Sequence, residues 1–154
     1  MSTNEIYNYI QVNDQLITGG QPTEEQLKAA AEEGFEAVIN LATLDRQYSL
    51  ADEAGLVHSL GMDYTHIPVD WENPKESDFE AFDQRMKQLM ERKILLHCAA
   101  NYRATAFYSL YAQKNLGWSE EQAEAFRGQI WKGSHYQVWE AFIGRMRVKI
   151  NTEK

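Results

Sequence analysis

The sequence predicts an α/β fold: a central, mostly parallel sheet of four to five strands flanked by helices. Two observations carry this. Short β-rich apolar runs alternate with longer segments of helical spacing, an order that calls for crossovers between parallel strands. The last β-rich run, "KILLHC", is apolar at nearly every position, as suits a strand covered on both faces. With 154 residues, 44% of them hydrophobic, the chain can bury one core, so a single domain over 1–154 is expected.

Each element follows in order. "IYNYIQV" alternates with period two as a strand and ends near the turn signal "TGGQPT". Thr23 and Gln26 stand at capping-box spacing, so a helix should run from Glu24 to near Gly34. "AVINLA" reads as the next strand, "SLADEAGLVHSLG" as a helix closed by Gly61, and "DYTHIPV" as a strand with Pro68 near its end. Ser77 and Glu80 form a second capping-box spacing that opens a helix through about Arg92, and "KILLHC" follows. After Cys98, "RATAFYSLYAQKNLG" has helical spacing, with Ala106, Leu110 and Ala112 on or near one face and Gly117 as its stop. Further helices are expected over "EEQAEAFRGQIW", capped by Ser119, and near "HYQVWEAFIGRMRV".

Composition excludes several functions. Fifteen Lys and Arg against 23 Asp and Glu give a formal charge of −8 without a basic stripe, which argues against nonspecific nucleic-acid binding and against acidic membrane surfaces. One cysteine allows no internal disulfide and neither of the Cys-His zinc patterns. His58, His66 and His135 are scattered without ligand spacing, so no metal or other cofactor is expected. The start "MSTNEIYNYIQVNDQ" lacks a charged segment followed by an apolar one, and no run nears the roughly 20 apolar residues of a membrane span. A cytoplasmic location is expected, or a periplasmic one if a leader has been removed. Trp71, Trp118, Trp131 and Trp139 form no stripe, which gives no platform for stacked bases. Oligomeric state is not legible.

The stretch "LLHCAANYRAT" concentrates the chemistry. It places Cys98 at the carboxyl end of a strand, the edge where ligands bind in open α/β sheets. Between that strand and the helix near Arg103 lies the loop Ala99, Ala100, Asn101, Tyr102, whose backbone N–H groups can converge on an anion at the helix N-terminus. The same positive end stabilises a thiolate. Arg103 adds a planar fork for two oxygens of a phosphate or sulfate, a geometry that lysine lacks. Small Ala99 and Ala100 let the backbone approach closely, and Asn101 tolerates a left-handed conformation. The plain alternative is a buried thiol at a strand end.

"ILLHCAANYRAT" after a strand resembles the signature of cysteine-dependent protein tyrosine and dual-specificity phosphatases. "LITGGQPTEEQLKAAAEEGFEAVINLA" and "DYTHIPVD" are similar to the bacterial subgroup called DUF442, or beta-lactamase-hydrolase-like phosphatases, and the likeness covers most of the chain. It implies that Cys98 attacks phosphorus while Arg103 and the loop amides hold the equatorial oxygens, and that an Asp about thirty residues upstream protonates the leaving oxygen. Asp70 in "IPVDWENP" stands there, with Glu72 and Asp78 as alternatives; Asp70 also reads as an ordinary solvated loop acid. His97 would orient the loop by hydrogen bonds or serve as a core histidine.

Two features depart from the signature. The family loop has five residues between Cys and Arg, and this one has four; the hydroxyl expected directly after Arg is replaced by Ala104, with Thr105 one place later. The shorter loop fits the size found in rhodanese-type sulfurtransferases. Three functions therefore stand: a metal-independent phosphomonoester hydrolase working through a phosphocysteine on a phosphorylated protein or small phosphomonoester; sulfur transfer through a Cys98 persulfide; and a noncatalytic phosphate- or sulfate-binding module. Tyr102 would wall the pocket or pack beneath it, Arg46 and Tyr48 would line its mouth, and Trp71 would cover it.

Overall fold

The structure is a computed structural model and describes residues 2–44 and 49–153. Its strands are β1 (Ile10–Asn13), β2 (Leu16–Gly19), β3 (Ala37–Asn40), β4 (Asp63–His66) and β5 (Ile94–His97). The helices are α1 (Glu24–Glu32), α2 (Glu53–Ser59), α3 (Glu76–Gln88), α4 (Tyr102–Asn115), α5 (Glu120–Trp131) and α6 (Gln137–Glu153). One five-stranded sheet runs in the order β1-β2-β5-β3-β4, parallel except for the β1–β2 hairpin. The central strand is β5, its last residue His97 lying beside Gly19 on one flank and Asn40 on the other. Cys98 thus leaves the middle of the sheet at its carboxyl edge.

Side-chain alternation splits the core into two layers. Ile17, Val38 and Leu95 face Leu27 and Ala30 of α1 and Val57 of α2. Leu16, Ile39 and Leu96 face the larger layer, built by Phe79 and Phe82 of α3, Phe107 and Leu110 of α4, and Trp139 and Phe142 of α6. Helix α4 is buried at every position from Arg103 to Gln113, more than its one predicted apolar face required, because the sheet and other helices enclose it. That burial holds the N-terminus of α4 firmly behind Cys98.

Local signals account for most boundaries. Thr23 caps α1, accepting from the Gln26 amide while Gln26 Oε1 accepts from the Thr23 amide; Ser119 and Gln122 repeat the exchange at α5. Gly61 and Gly117 follow α2 and α4 with φ of +82° and +74°, left-handed stops that glycine adopts without strain.

Two boundaries differ from expectation. The first predicted strand begins only at Ile10, because Thr3–Glu5 form a short 3-10 turn and Asn8 has a positive φ of 54°. The chain then reverses after Asn13, whose side chain accepts from the Gln15 amide, and returns as β2. Helix α3 begins before the Ser77 spacing, since the Asp78 carboxylate accepts from the Lys75 amide, and it ends at Gln88 rather than near Arg92. Among the described residues no helix is long and apolar enough to cross a membrane.

Candidate active site

Strand β5 delivers Cys98 into a loop whose carbonyl groups are all turned outward and held. His97 Nδ1 lies 3.1 Å from the Cys98 carbonyl, the Gln21 amide donates to Ala99 O at 2.9 Å, and Asn8 Nδ2 donates to Ala100 O at 3.0 Å. The Thr105 hydroxyl reaches Asn101 O at 2.7 Å, and Trp131 Nε1 donates to Tyr102 O at 3.1 Å. The amides of Ala99, Ala100, Tyr102 and Arg103 have no acceptor among the described residues. Carbonyls tied back and amides left free make a backbone concavity of positive potential, the arrangement that receives oxyanions.

Asn101 makes this turn possible. Its φ of 71° is left-handed, as its sequence position suggested, and its buried side chain donates to Asn8 O at 2.8 Å and Thr18 Oγ1 at 3.0 Å. The side chain is therefore a brace beneath the loop. Gly20 permits the close approach of the neighbouring strand end, since a Cβ there would stand 2.6 Å from Ala99 O.

A cavity of about 260 Å³ lies over the loop, lined by Cys98, Ala99, Ala100, Tyr102, Arg103, Trp71 and Tyr136. Arg103 is buried, and its Nη1 donates to Val69 O at 2.9 Å. No carboxylate pairs with it among the described residues. Trp139 Nε1 donates to Trp71 O at 2.9 Å, so the strap 69–71 is gripped at both ends with Asp70 between. Asp70 itself is exposed, accepts from the Glu72 amide at 2.9 Å and does not line the cavity.

Tyr102 lines the cavity, and its ring centre lies 4.9 Å from that of Trp131. Trp71 also lines the cavity, meets Tyr102 edge to face, stacks with Trp131 and lies tilted against Trp139. Three tryptophans that make no stripe in sequence thus meet in space, because α5, α6 and the strap converge on the same edge. Thr105 points its hydroxyl back to the Asn101 and Tyr102 carbonyls and accepts from Trp131 Nε1, which makes it a brace inside α4 rather than a group facing the cavity. Arg46 and Tyr48 lie outside the described residues.

Sequence reasoning missed Tyr136, which lines the cavity, and Glu53 at the start of α2, which backs the loop. Glu53 Oε2 lies 2.6 Å from Nε2 of the fully buried His97, and its Oε1 accepts from Gln21 Nε2 at 2.7 Å. Burial pushes its carboxyl up, but hydrogen bonds from His97 and Gln21 and the charges of His97 and His66 outweigh that and hold it below the ordinary range. Glu53 also lines a larger cavity of about 640 Å³ between the ends of β3 and β4, with Asn40, Tyr64 and His66. The smaller cavity is the candidate site, since it alone joins cysteine, arginine and free amides. Among the described residues no group of three or more His, Cys, Asp or Glu is placed to hold a metal.

Comparison with known proteins identifies the family and the fold. Residues 2–139 match the family described as DSP-PTPase phosphatase fused to NAD+ kinase. The DUF442 protein of Shewanella putrefaciens CN-32, whose name marks it as a phosphatase, is 36% identical; its crystal structure superposes with a TM-score of 0.87 over 95% of this chain and 92% of that one. The Beta-lactamase hydrolase-like protein of Agrobacterium fabrum is 30% identical over 104 residues, 66% of this chain and 24% of the relative, so the chain spans about a quarter of that protein. Tk-PTP in its active form shares the fold, with a TM-score of 0.77 at 17% identity over 92% of this chain and 97% of that one. The chain accordingly belongs to the DSP-PTPase phosphatase family and, within it, stands with the DUF442 proteins.

Proposed function

We propose that the chain hydrolyses phosphomonoesters through a phosphocysteine on Cys98. The observation that carries this reading is the loop with its carbonyls tied outward, which leaves free amides, Cys98 and an Arg103 without a carboxylate partner among the described residues around one cavity. Burying a guanidinium without a counter-charge is costly, and a phosphoryl dianion supplies both the charge and the fork partners. The membership of the DSP-PTPase family supports the same chemistry.

In the first step the Cys98 thiolate attacks phosphorus in line, an S–P bond forms, and the bond from phosphorus to the leaving oxygen breaks as Asp70 gives that oxygen a proton. Water then attacks phosphorus, Asp70 takes its proton, and the thiolate leaves. The amides of the loop and the Arg103 fork hold the three equatorial oxygens throughout. Asp70 takes this role by rotating from the Glu72 amide toward the cavity, while the held carbonyls of Val69 and Trp71 keep its backbone at the rim.

The test is hydrolysis of p-nitrophenyl phosphate and of a phosphotyrosine peptide by the wild type and two variants. Cys98→Ser should abolish turnover. Asp70→Asn should lower kcat about a hundredfold for the peptide, whose leaving group needs the proton more. Cyanide-dependent thiocyanate formation from thiosulfate, unaffected by Asp70→Asn, would instead establish sulfur transfer, which the four-residue loop also fits. Phosphate binding without turnover of either kind would leave a binding module.

A further inference from the structure

The Glu53–His97 contact reaches the nucleophile by a short path. His97 is fully buried, and its two ring nitrogens face two different oxygens: Nδ1 the Cys98 carbonyl at 3.1 Å, Nε2 the Glu53 carboxylate at 2.6 Å. A carbonyl can only accept, so Nδ1 carries a proton. The Glu53 carboxyl, pushed up by burial but held below the ordinary range by His97 and Gln21, presents an acceptor to Nε2. The ring thus stands between two acceptors, the carbonyl of Cys98 next to it in the chain and the carboxylate of Glu53 beyond it on α2.

Other groups around the pair are accounted for. From β4, His66 faces Glu53 and lies with Nε2 2.6 Å from Ala42 O. Tyr64, also on β4, stays neutral: burial first and the Glu53 charge second push it up to about 12, against a hydrogen bond with Asn40. From the loop after β2 comes Gln21, whose side chain holds Glu53 while its amide holds Ala99 O. Asp52 caps α2 and is engaged with the Gly55 amide.

We propose that Glu53 is a positioning residue for the nucleophile, acting through His97: it keeps the ring charged and donating to the Cys98 carbonyl, which fixes the loop and favours the thiolate. This rests on the reading of Cys98 as the nucleophile. Among the described residues, no other carboxylate reaches His97.

The experiment follows Cys98 by iodoacetamide alkylation from pH 5 to 9 in the wild type and in Glu53→Gln, with far-ultraviolet circular dichroism to confirm folding. Glutamine can still hydrogen-bond Nε2, so the loop contact survives while the charge is lost. The variant should be alkylated about tenfold more slowly at pH 6, with the two rates converging at alkaline pH, a shift of about one pH unit in the midpoint. His97→Asn should show the same shift, and the double variant no more than either single one, since the two act as one unit. Superimposed profiles for wild type and Glu53→Gln, or a double variant that shifts twice as far, would overturn the proposal.

A second measurement needs no variant. Nitrogen-15 spectra of histidine-labelled wild type at pH 7 should show both His97 ring nitrogens protonated, and a neutral tautomer would overturn the proposal even if Glu53→Gln failed to fold. Neither readout depends on turnover. Turnover that survives Cys98→Ser would therefore defeat the nucleophile reading, whereas an unshifted alkylation profile in Glu53→Gln beside turnover that Cys98→Ser abolishes would defeat only the role of Glu53.

Discussion

Arg103 shows how one residue joins two parts of the site. Its Nη1 grips the Val69 carbonyl, one residue before Asp70, and the rest of the guanidinium is left for the cavity. Lysine would keep the charge but could not serve both directions in a plane. Arg103→Lys should lower kcat/KM for an aryl phosphate about a hundredfold, the cost of losing one preorganised pair of donors, measured by steady-state kinetics. The residues that meet at the candidate cavity were legible because Cys, Arg and a small-residue loop between strand and helix imply one another. Glu53 was not: it lies 44 positions from His97, and nothing in "ADEAGL" sets it apart from any first-turn acid that suits a helix dipole.

At the scale of elements, α5 and α6 are joined by a network of charges. Arg127 donates to Glu124 and Glu140, and Arg147 of α6 donates to Glu124 at 2.7 Å. The Arg127 fork lowers the Glu124 carboxyl first, burial opposes it, Arg147 adds to the lowering, and the result is about 2 against an ordinary 4.5. A carboxyl lowered by folding stabilises the fold fully above its unfolded value and loses that contribution as pH falls toward its folded one. Glu124 is 41% exposed, so solvent screening limits its contribution to about 1 kcal/mol. Glu124→Gln should be less stable than wild type by about that amount at pH 7 in urea unfolding, with the difference shrinking below pH 4.5 and gone near pH 2. Helix starts were legible at Thr23 and Ser119, where cap and partner three residues on exchange hydrogen bonds, whereas the same spacing at Ser77 and Glu80 misled because Lys75 and Asp78 make the contact there. The β1–β2 hairpin was not legible, because its turn rests on the Asn13 side-chain contact to the Gln15 amide, which period-two alternation hides.

For the molecule as a whole, charge and shape oppose each other. The chain carries −8, yet its candidate site is a local well of positive potential from one guanidinium and several amides. Approach of a multiply charged phosphoanion is therefore hindered at long range and helped only at contact. Raising the salt from about 10 mM to about 150 mM shortens the screening length from roughly 30 Å to roughly 8 Å, which should raise kcat/KM for a trianionic phosphopeptide more than for p-nitrophenyl phosphate. The sheet class was legible from alternating periods, since each period has only one way to bury its apolar positions. Strand order was not, because β5 enters between β2 and β3 by packing that involves residues far apart in sequence.

The indole rings give the site a built-in optical reporter. Trp71 is in the cavity wall, and Trp131 and Trp139 lie 5.9 and 5.3 Å from it, while only Trp118 sits elsewhere, against Tyr108 and Phe126. Emission from this chain is accordingly weighted toward one rim, so a shift of the strap against α5 and α6 changes its intensity and colour without any added label.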